Sequence, residues 1–492
     1  KSEDVQSLSK IVHLWGMDAS EKEPDKALLA SLQVLQSLIQ ARVTGKHWFV
    51  TKGAQAVAAD DDISPWQTRF WGLARTIQVE HPKQLGGCVD LHPNLSSQDT
   101  DDLSLLIAEL GQSNPDTEVA FREGIRYVAR LARTAPCAQT VDPHAPLKLD
   151  PESSYLLTGG LGSLGLLVAQ YLATCGAKHL VLTGRSGVST DDQRNVLHTL
   201  KDAGVKVDVV PADISNADDV ERVLAIARNL RGIVHAAGVL DDGMLMQQNA
   251  ERFTKVARPK VDGAWHLHSQ TLNQSLDFFV LFSSVASVMG SPGQSNYASA
   301  NAFLDGLAHH RKNQGLAATT INWGPWADVG MAASNVVSQR LMKDGWQPIN
   351  ATQGYNFISH LLTARDLPQA AIIPLDWGQF SQNTPGAGDW STLKRLVLPH
   401  GSSPLTQGSA KSGAERAKTA APGERVDWIC SYLLERIAQT LRVPATNLNE
   451  YAQLTELGID SLTAVELCLW IQGDLGVEPA IETLFTTPSI RD

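Results

Sequence analysis

The residues most clearly suited to chemistry form a glycine-rich segment, Gly160-x-Gly162-x-x-Gly165, between a strand-like run and a helical run. Glycines at this spacing allow a tight turn and a close approach of backbone to a pyrophosphate, and the following helix offers free N–H groups. The segment therefore predicts a bound nucleotide, with a purely structural glycine turn as the alternative. The residues expected to hold the phosphates are Thr158, Gly159, Gly160, Gly162, Ser163, Leu164 and Gly165.

The segments after the next strands indicate which nucleotide binds. Arg185 and Ser186 follow the second strand, where an acidic residue would bind the ribose 2′-hydroxyl of NAD. A guanidinium suits a 2′-phosphate, so NADP(H) is favoured, with a solvated surface arginine as the alternative. Asp213, beside Ile214, could accept a hydrogen bond from the adenine amine, or could cap its loop. Small residues after the fourth strand could lie beside the cofactor or simply form a loop; the segment is His235, Ala236, Ala237 and Gly238.

A second candidate site is a serine at the start of a predicted helix, in Gly458-Ile-Asp460-Ser461-Leu462. Leu462, Val465 and Leu469 fall on one face at helical spacing, so the Ser461 hydroxyl is expected to point outward. No base lies near Ser461 in the sequence, so it is not arranged as a nucleophile. It could accept a covalent group from another enzyme, or it could be an ordinary N-cap serine.

Alternating strand-like and helical runs must position these residues, and they predict an α/β protein with two such units. Residues 1–150 form a unit without a glycine fingerprint, and residues 151–380 form a doubly wound parallel sheet. Residues 381–422, rich in Ser, Gly and Pro, predict a flexible linker, and residues 423–492 a small helical bundle. The predicted strands span 11–15, 47–50, 87–91, 155–158, 179–183, 205–210, 232–235, 278–282 and 319–322.

Composition excludes several classes of protein. The 492 residues carry a net charge of −11, which argues against non-specific binding to nucleic acid or anionic membranes. The 5 cysteines are scattered and form no Cys-x-x-Cys, so no metal site is predicted and a reducing, cytoplasmic location is expected. No apolar run is long enough to span a membrane.

A family resemblance gives the second unit a catalytic set. Tyr297-Ala-Ser-Ala-Asn301 resembles the Tyr-x-x-x-Lys signature of short-chain dehydrogenases, with Asn301 in place of lysine. The ketoreductase domains of modular polyketide synthases exchange these two positions, and Lys260, in Arg258-Pro-Lys260, matches their relocated lysine. Ser284 precedes Tyr297 by the family's usual interval. Taken singly, Ser284 could cap a loop, Lys260 could be solvated, and Tyr297 could belong to the core.

These residue types suit reduction of a ketone. Hydride delivery builds negative charge on the carbonyl oxygen, which the hydroxyls of Tyr297 and Ser284 can stabilise while Tyr297 donates the proton. A free tyrosine has a pKa of about 10, so a nearby Lys260 ammonium is expected to lower it. Asn301 is expected to orient the lysine or a water molecule.

The resemblance covers almost the whole chain and extends to stereochemistry. Residues 1–150 resemble the structural half of such ketoreductases, and Asn322-Trp323-Gly-Pro-Trp326 resembles their substrate-side motif before a mobile lid, expected near 331–342. Leu240-Asp241-Asp242 matches the marker of B-type members. Met289 stands where A-type members have tryptophan, and Ser299 where epimerising members have proline. A D-β-hydroxyl without epimerisation is therefore expected.

The segment around Ser461 resembles the phosphopantetheine attachment site of acyl carrier proteins, a motif that peptidyl carriers share. The resemblance implies NADPH and 4′-phosphopantetheine as cofactors, a carrier-tethered acyl thioester as substrate, and a phosphopantetheinyl transferase. It also implies neighbouring ketosynthase, acyltransferase and possibly dehydratase domains. Two alternatives stay open: a catalytically silent reductase that supports the carrier, and a free-standing dehydrogenase for small alcohols.

Overall fold

The structure is a computed structural model, and its described residues divide after Phe380 into two compact units. The described ranges are 7–58, 61–94, 100–112, 115–133, 147–327, 341–364, 367–384, 390–397, 425–441 and 448–451, with residues 467, 471, 477 and 489. Within the first unit, residues 7–133 are called the first half and residues 147–380 the second half. In these ranges, no helix combines the length and apolar character needed to cross a bilayer.

The first half is a five-stranded sheet in the order β1-β2-β3-β4-β5, parallel except for β5. The predicted strands are present, but the first one is shifted: β1 ends at His13 and a 3-10 turn follows at Trp15–Asp18. Gly16 in this turn packs against the Val50 carbonyl, where a Cβ would lie 2.5 Å from the oxygen, so a larger residue does not fit there. The elements are β1 Ser7–His13, α1 Lys26–Gln40, β2 Thr44–Lys52, α2 Pro65–Glu80, β3 Leu85–Leu91, α3 Thr100–Gly111, β4 Glu118–Arg122 and β5 Ile125–Val128.

The second half is a seven-stranded, fully parallel sheet in the order β12-β11-β10-β9-β6-β7-β8. The order reverses at β6, so the crevice at the carboxyl ends of β6 and β9 is the topological switch point where such folds bind ligands. Its first elements are β6 Ser154–Thr158, α4 Ser163–Thr174, β7 His179–Gly184, α5 Asp191–Asp202, β8 Lys206–Pro211, α6 Ala217–Ile226, β9 Leu230–His235 and α7 Ala250–Ala257. They are followed by α8 Gly263–Gln270, β10 Phe278–Ser284, α9 Ala286–Met289, α10 Ser295–Asn313, β11 Thr319–Trp323, α11 Ala351–Ala364, β12 Gln369–Ile372 and α12 Trp377–Asn383.

The two halves share a core along α2 and α10, whose apolar residues belong to one buried cluster. The helices cross closely at glycines: a Cβ on Gly72 would lie 2.4 Å from the Ala298 carbonyl oxygen. The Thr68 hydroxyl donates to the Ala302 carbonyl across the same contact, at 2.7 Å. This packing fixes α10, which carries Tyr297, against the first half.

The second unit is described only in part. Short helical segments at Ser391–Leu393 and α13 (Lys394–Val397) lie within the predicted linker, where Leu393 is buried. Helix α14 (Arg425–Leu441) lies within the predicted helical bundle, residues 423–492. Residues 401–422, Ser461 and its neighbours, and the predicted lid apart from Leu341 and Met342 lie outside the described residues.

Candidate active site

The glycine segment forms a tight loop between β6 and the N-terminus of α4. Gly159 has φ +66°, and a Cβ there would lie 2.8 Å from the backbone nitrogen of Ala237. A Cβ on Gly165 would lie 2.2 Å from the Gly159 carbonyl oxygen, so the loop closes only with glycine at both positions. Gly162 and Ser163 are exposed where the helix begins. The loop therefore fits a nucleotide pyrophosphate at the helix N-terminus.

The loops after β7 and β8 bring the two predicted selectivity residues together. Asp213 accepts hydrogen bonds from the Ser215 hydroxyl at 2.7 Å and the Ser215 N–H at 3.0 Å. These bonds lower the pKa of Asp213, and the charges of Arg258 and Arg185 lower it further. Asp213 therefore caps its loop, as one alternative predicted, and also faces two guanidinium groups. Sequence reasoning missed Arg258, although it lies two residues before Lys260.

The segment after β9 continues past the switch point beside the glycine loop. The imidazole of His235 is fully buried, and its Nδ1 lies 2.7 Å from the Thr158 hydroxyl on the neighbouring strand. Burial lowers the pKa of His235 to about 3, so this side chain is neutral and joins the ends of β6 and β9. The loop proper consists of Ala236, Ala237 and Gly238, which are partly or fully exposed. A direct contact between His235 and the cofactor stays a prediction.

Lys260 lies in a short π-helical turn, Arg258–Asp262, between α7 and α8. Pro259 lacks the N–H that a regular helix would use, which accounts for the irregular turn. The ammonium is buried and donates to the Phe282 carbonyl at 3.0 Å. Burial lowers the pKa of Lys260 to about 8, partly opposed by the negative charge of Asp305. A Cβ on Gly238 would lie 3.0 Å from the Lys260 Cε, so glycine leaves room for the side chain.

Tyr297 lies in the first turn of α10, facing the end of β10 where Ser284 lies. The tyrosine is buried, and Asn301, one turn later, donates from Nδ2 to the Tyr297 carbonyl at 2.9 Å. Hydrogen bonding with the side chains of Asn301 and Ser284 lowers the pKa of the Tyr297 phenol, but burial outweighs it. The Lys260 Nζ lies 5.3 Å from the centre of the Tyr297 ring. The four predicted catalytic residues therefore meet at one site.

One expectation about this site is wrong. The pKa of Tyr297 is raised to about 12, mainly by burial, and the Asp242 carboxylate adds to the rise. Lys260 does not reverse this because its ammonium is bonded to the Phe282 carbonyl and lies over the ring, away from a direct bond to the hydroxyl. The phenol is therefore protonated at neutral pH, the state that a proton donor needs.

The Leu240-Asp241-Asp242 segment lies at the mouth of the Tyr297 site. Asp241 forms ion pairs with Lys255 at 2.8 Å and Arg252 at 3.2 Å, which hold its backbone. Asp242 accepts a hydrogen bond from the Gln294 side chain at 3.1 Å. Leu240 packs partly buried against the shared core. The motif thus lies close enough to Tyr297 for the Asp242 charge to act on its phenol.

The two predicted substrate-side residues are both buried. Trp323 ends β11, directly opposite Ser284 in the strand register, and its ring packs 5.4 Å from Phe282 and 4.9 Å from Trp326. Met289 ends α9, the short helix between Ser284 and α10. Both residues lie on elements next to Ser284, and their contact with substrate stays a prediction.

Sequence reasoning missed a buried carboxylate behind the catalytic set. Asp305 accepts hydrogen bonds from Ser287 at 2.6 Å, Thr320 at 3.0 Å and Asn322 at 2.9 Å. It lies one helical turn beyond Asn301, on the face of α10 that also carries Tyr297. That spacing was the available signal, because four-residue steps on one helix face place side chains together.

Comparison with known proteins covers each part of the chain. The model described as "KR domain" matches residues 153–328, and "Polyketide synthase extender module SpnB, Rossmann fold domain" matches residues 3–131. The model described as "Phosphopantetheine attachment site" matches residues 431–492. All three families therefore follow one another along one polypeptide.

Similar proteins are polyketide synthases, and similar solved structures are ketoreductases of such synthases. Polyketide synthase GfsA of Streptomyces halstedii is 33% identical over 96% of this chain, and a phenolphthiocerol/phthiocerol polyketide synthase of Mycobacterium tuberculosis is 31% identical over 90%. The chain spans 6% and 23% of the length of these relatives. A structure of A-type ketoreductases from a modular polyketide synthase has a TM-score of 0.71 and 32% identity, covering 80% of this chain and 83% of that one. The first ketoreductase of the tylosin synthase has a TM-score of 0.71 and 29% identity, covering 81% and 85%.

Proposed function

Since this chain belongs to the ketoreductases of modular polyketide synthases and carries a phosphopantetheine attachment domain, we propose that it reduces the β-keto group of an acyl thioester tethered at Ser461. The product is a D-β-hydroxyacyl thioester, formed without epimerisation, and the reductant is NADPH. The observation that carries this proposal is the convergence of Tyr297, Ser284 and Lys260 beside the glycine loop.

Side chains of this protein donate the proton to the carbonyl oxygen and stabilise the negative charge of the phenolate. NADPH, when bound, supplies the hydride that adds to the carbonyl carbon. Tyr297, protonated at neutral pH because burial raises its pKa to about 12, donates its proton to the oxygen, and the Ser284 hydroxyl can donate a second hydrogen bond. The Lys260 ammonium over the Tyr297 ring stabilises the phenolate that this step leaves.

Asn301 suits the return of a proton to Tyr297. Its side-chain nitrogen is bonded to the Tyr297 carbonyl, while its buried Oδ1 has no hydrogen-bond partner among the described residues. A buried carbonyl oxygen of this kind can hold a water molecule. Such a water would connect the phenol to solvent, which is the orienting role that the sequence predicted.

The preference for NADPH rests on the loop after β7. Arg185 is exposed there and lies within electrostatic reach of Asp213, together with Arg258. Two guanidinium groups flanking the adenosine position favour the extra phosphate of NADPH, since arginine binds phosphate through paired, charge-assisted hydrogen bonds. The exposed Ser186 hydroxyl can add a further donor.

The stereochemical proposal rests on three positions, Asp242, Met289 and Ser299. Asp242 lies close enough to Tyr297 for its charge to raise the phenol pKa, and Gln294 holds its carboxylate. Met289 replaces the tryptophan of A-type members, and Ser299 replaces the proline of epimerising members. The likeness to A-type structures extends over the whole fold, whereas the stereochemical proposal depends on these three single positions.

The carrier proposal rests on the motif around Ser461. Its hydroxyl would receive the phosphopantetheine arm from a transferase, and the arm would carry the β-ketoacyl group to Tyr297. The relatives support this arrangement, because each is a synthase far longer than this chain. Ketosynthase and acyltransferase domains, and possibly a dehydratase, are the proposed partners, in the cytoplasm.

The test is to mix the full chain with NADPH and a β-ketoacyl thioester, and to follow NADPH absorbance and the chirality of the product. The parent is expected to consume NADPH and give the D-hydroxyl, while Tyr297→Phe slows turnover roughly 10²- to 10⁴-fold. A parent that binds NADPH but leaves the thioester untouched would refute the reductase. An L-hydroxyl product would refute the stereochemical part alone.

A further inference from the structure

Two active-site loops of the second half are bonded to side chains of the first half. The β9–α7 loop, residues 236–249, carries Leu240, Asp241 and Asp242. The α9–α10 loop, residues 290–294, leads directly into Tyr297. The loops also bond to each other, because the Gly243 N–H donates to the Gly293 carbonyl at 2.8 Å.

Glu80, the last residue of α2, bridges both loops. Its Oε2 accepts a hydrogen bond from the Leu245 N–H at 2.7 Å, and its Oε1 accepts one from the Gly293 N–H at 2.8 Å. The carboxylate is buried, with 7% of the residue exposed. Its hydrogen-bond partners within the described residues are two backbone N–H groups, one from each loop.

Gln36 of α1 holds the same loop from a second helix of the first half. Its Nε2 donates to the Leu245 carbonyl at 2.7 Å and to the Gln248 carbonyl at 2.8 Å. The N–H and the C=O of Leu245 therefore both bond to first-half side chains. A loop held through both polar groups of one residue has a defined position relative to α1 and α2.

The α9–α10 loop also packs directly on α2. Gly290 has φ +75°, and a Cβ there would lie 2.3 Å from the Arg75 carbonyl oxygen, so the loop rests against the α2 backbone. Residues just after this loop and at its end bond to the Asp241-Asp242 segment beside Tyr297. The Gln294 side chain bonds Asp242, and the Asn296 side chain donates to the Asp241 carbonyl at 2.8 Å.

A carboxylate is a costly choice for this position. Burial raises the pKa of Glu80 to about 7, against the two N–H groups that favour the ionised form. If the role were only structural, apolar packing would stabilise the fold more, since burying a charged group without a countercharge costs free energy. A carboxylate does one thing that a neutral amide cannot, which is to accept hydrogen bonds on both oxygens at once.

We propose that Glu80, assisted by Gln36, is a positioning residue for stereochemical control, so that the half of the chain without catalytic groups fixes the loops that orient the substrate over Tyr297. The inference rests on the proposed reduction, but not on which hydroxyl isomer the parent forms. Glu80 acts through Leu245 and Gly293 and does not touch the reacting atoms.

The test compares product isomer ratios for three variants of the full chain, assayed with NADPH and a β-ketoacyl thioester. Glu80→Gln keeps the shape but turns an amide N–H toward one loop N–H, leaving a buried donor unpaired. We expect the minor hydroxyl isomer to rise about tenfold and KM for the thioester to rise, while the dissociation constant of NADPH is unchanged. Gln36→Met, on a partly exposed helix position, is expected to shift the ratio in the same direction by less.

Thr68→Val is the matched control, because it removes another buried hydrogen bond between the halves, to the Ala302 carbonyl, without touching either loop. It is expected to lower the melting temperature and keep the parent isomer ratio. The inference is overturned if Glu80→Gln and Gln36→Met both keep that ratio, or if Thr68→Val changes it as much. Should Glu80→Gln fail to fold, the Gln36→Met ratio decides. An inactive parent would refute the proposed reduction, and the inference with it.

Discussion

Both halves of the first unit are built mainly from parallel strands with covering helices, but different side chains follow their strand ends. In the second half, the carboxyl ends of β6 and β9 carry the glycine loop and small residues. In the first half, the corresponding edge is filled by Arg122, which forms ion pairs with Asp61 at 2.9 Å and Asp90 at 2.7 Å. The carboxyl ends of parallel strands can therefore form a binding site or a solid support, depending on the strand order and on the side chains that follow the strands.

The same contrast applies to buried cations. Arg122 is surrounded by acceptors, including the Leu91 carbonyl at 3.1 Å, besides its two carboxylates. Lys260 has one carbonyl bond, and the charge of Asp305 only partly opposes the effect of burial. The first half therefore uses its cation for stability, while the second half keeps a cation that burial destabilises, as functional sites often do.

The largest expected effect is the loss of the first-half cation. Arg122→Met leaves Asp61 and Asp90 buried without their partner, and we expect the free energy of unfolding to fall by about 3–5 kcal/mol. Urea unfolding of the full chain measures this. Lys26→Met, which removes an exposed ion pair with Glu23 in the same half, is the control and should cost below about 1 kcal/mol. Equal losses of unfolding free energy in the two variants would contradict the stabilising role assigned to the buried Arg122.

Loss of the second-half cation is expected to do the opposite to stability and to remove activity. Burial lowers the pKa of Lys260 from 10.5 to about 8, so Lys260→Met should raise the unfolding free energy at pH 7 by up to about 3 kcal/mol. Turnover should fall roughly 10²-fold, since the phenolate of Tyr297 loses its nearby charge. Thermal melting and NADPH absorbance measure the two effects. A variant that is less stable than the parent contradicts this account.

The pH dependence of stability also tests whether the buried Lys260 ammonium destabilises the folded chain. Between pH 8 and pH 10.5 the folded chain binds fewer protons at Lys260 than the unfolded chain, so the unfolding free energy rises with pH in this range. The destabilisation by the buried ammonium is therefore greatest below pH 8 and disappears toward pH 10.5. The stability advantage of Lys260→Met should therefore shrink from pH 7 to pH 10. Lys206→Met, at an exposed lysine, is the control. An advantage that is independent of pH would contradict the assignment of the effect to Lys260.

The smallest expected effect concerns cofactor choice. Arg185→Ala should raise KM for NADPH roughly tenfold and leave KM for NADH unchanged, because the proposed partner of the guanidinium is the 2′-phosphate, which NADH lacks. Steady-state kinetics with both nucleotides measure this. Arg194→Ala, which removes an exposed ion pair with Asp191 on α5, should change neither value. Parallel changes for NADPH and NADH would place the role of Arg185 elsewhere.

The sequence predicts the structural features that are formed by residues close together in the chain. The glycine loop and the apolar strands β6, β9 and β10 follow from short patterns, whereas the catalytic set follows from the family resemblance. Strands β4, β5 and β12 were missed. Strand β4 begins with Glu118 and ends with Arg122, and β5 (Ile125–Val128) and β12 (Gln369–Ile372) are only four residues long, so pairing with neighbouring strands decides their structure.

Two properties of the site depend on contacts between distant residues. The pKa of Tyr297 follows from burial, which the sequence does not reveal, and so the predicted direction was wrong. Glu80 meets Leu245 and Gly293 across 165 and 213 positions of sequence. No periodicity or motif reports such a contact, because it arises only when the two halves pack along α2 and α10.

The most direct test of the account uses the chain's own carrier. Ser461 is loaded with a β-ketoacyl-phosphopantetheine arm, NADPH is added, and the intact protein is weighed by mass spectrometry over time. The account predicts that the parent gains two hydrogens on the arm, while Tyr297→Phe, loaded in the same way, does not over the same period. An unchanged mass in the parent with NADPH bound, or an equal gain in Tyr297→Phe, would contradict it.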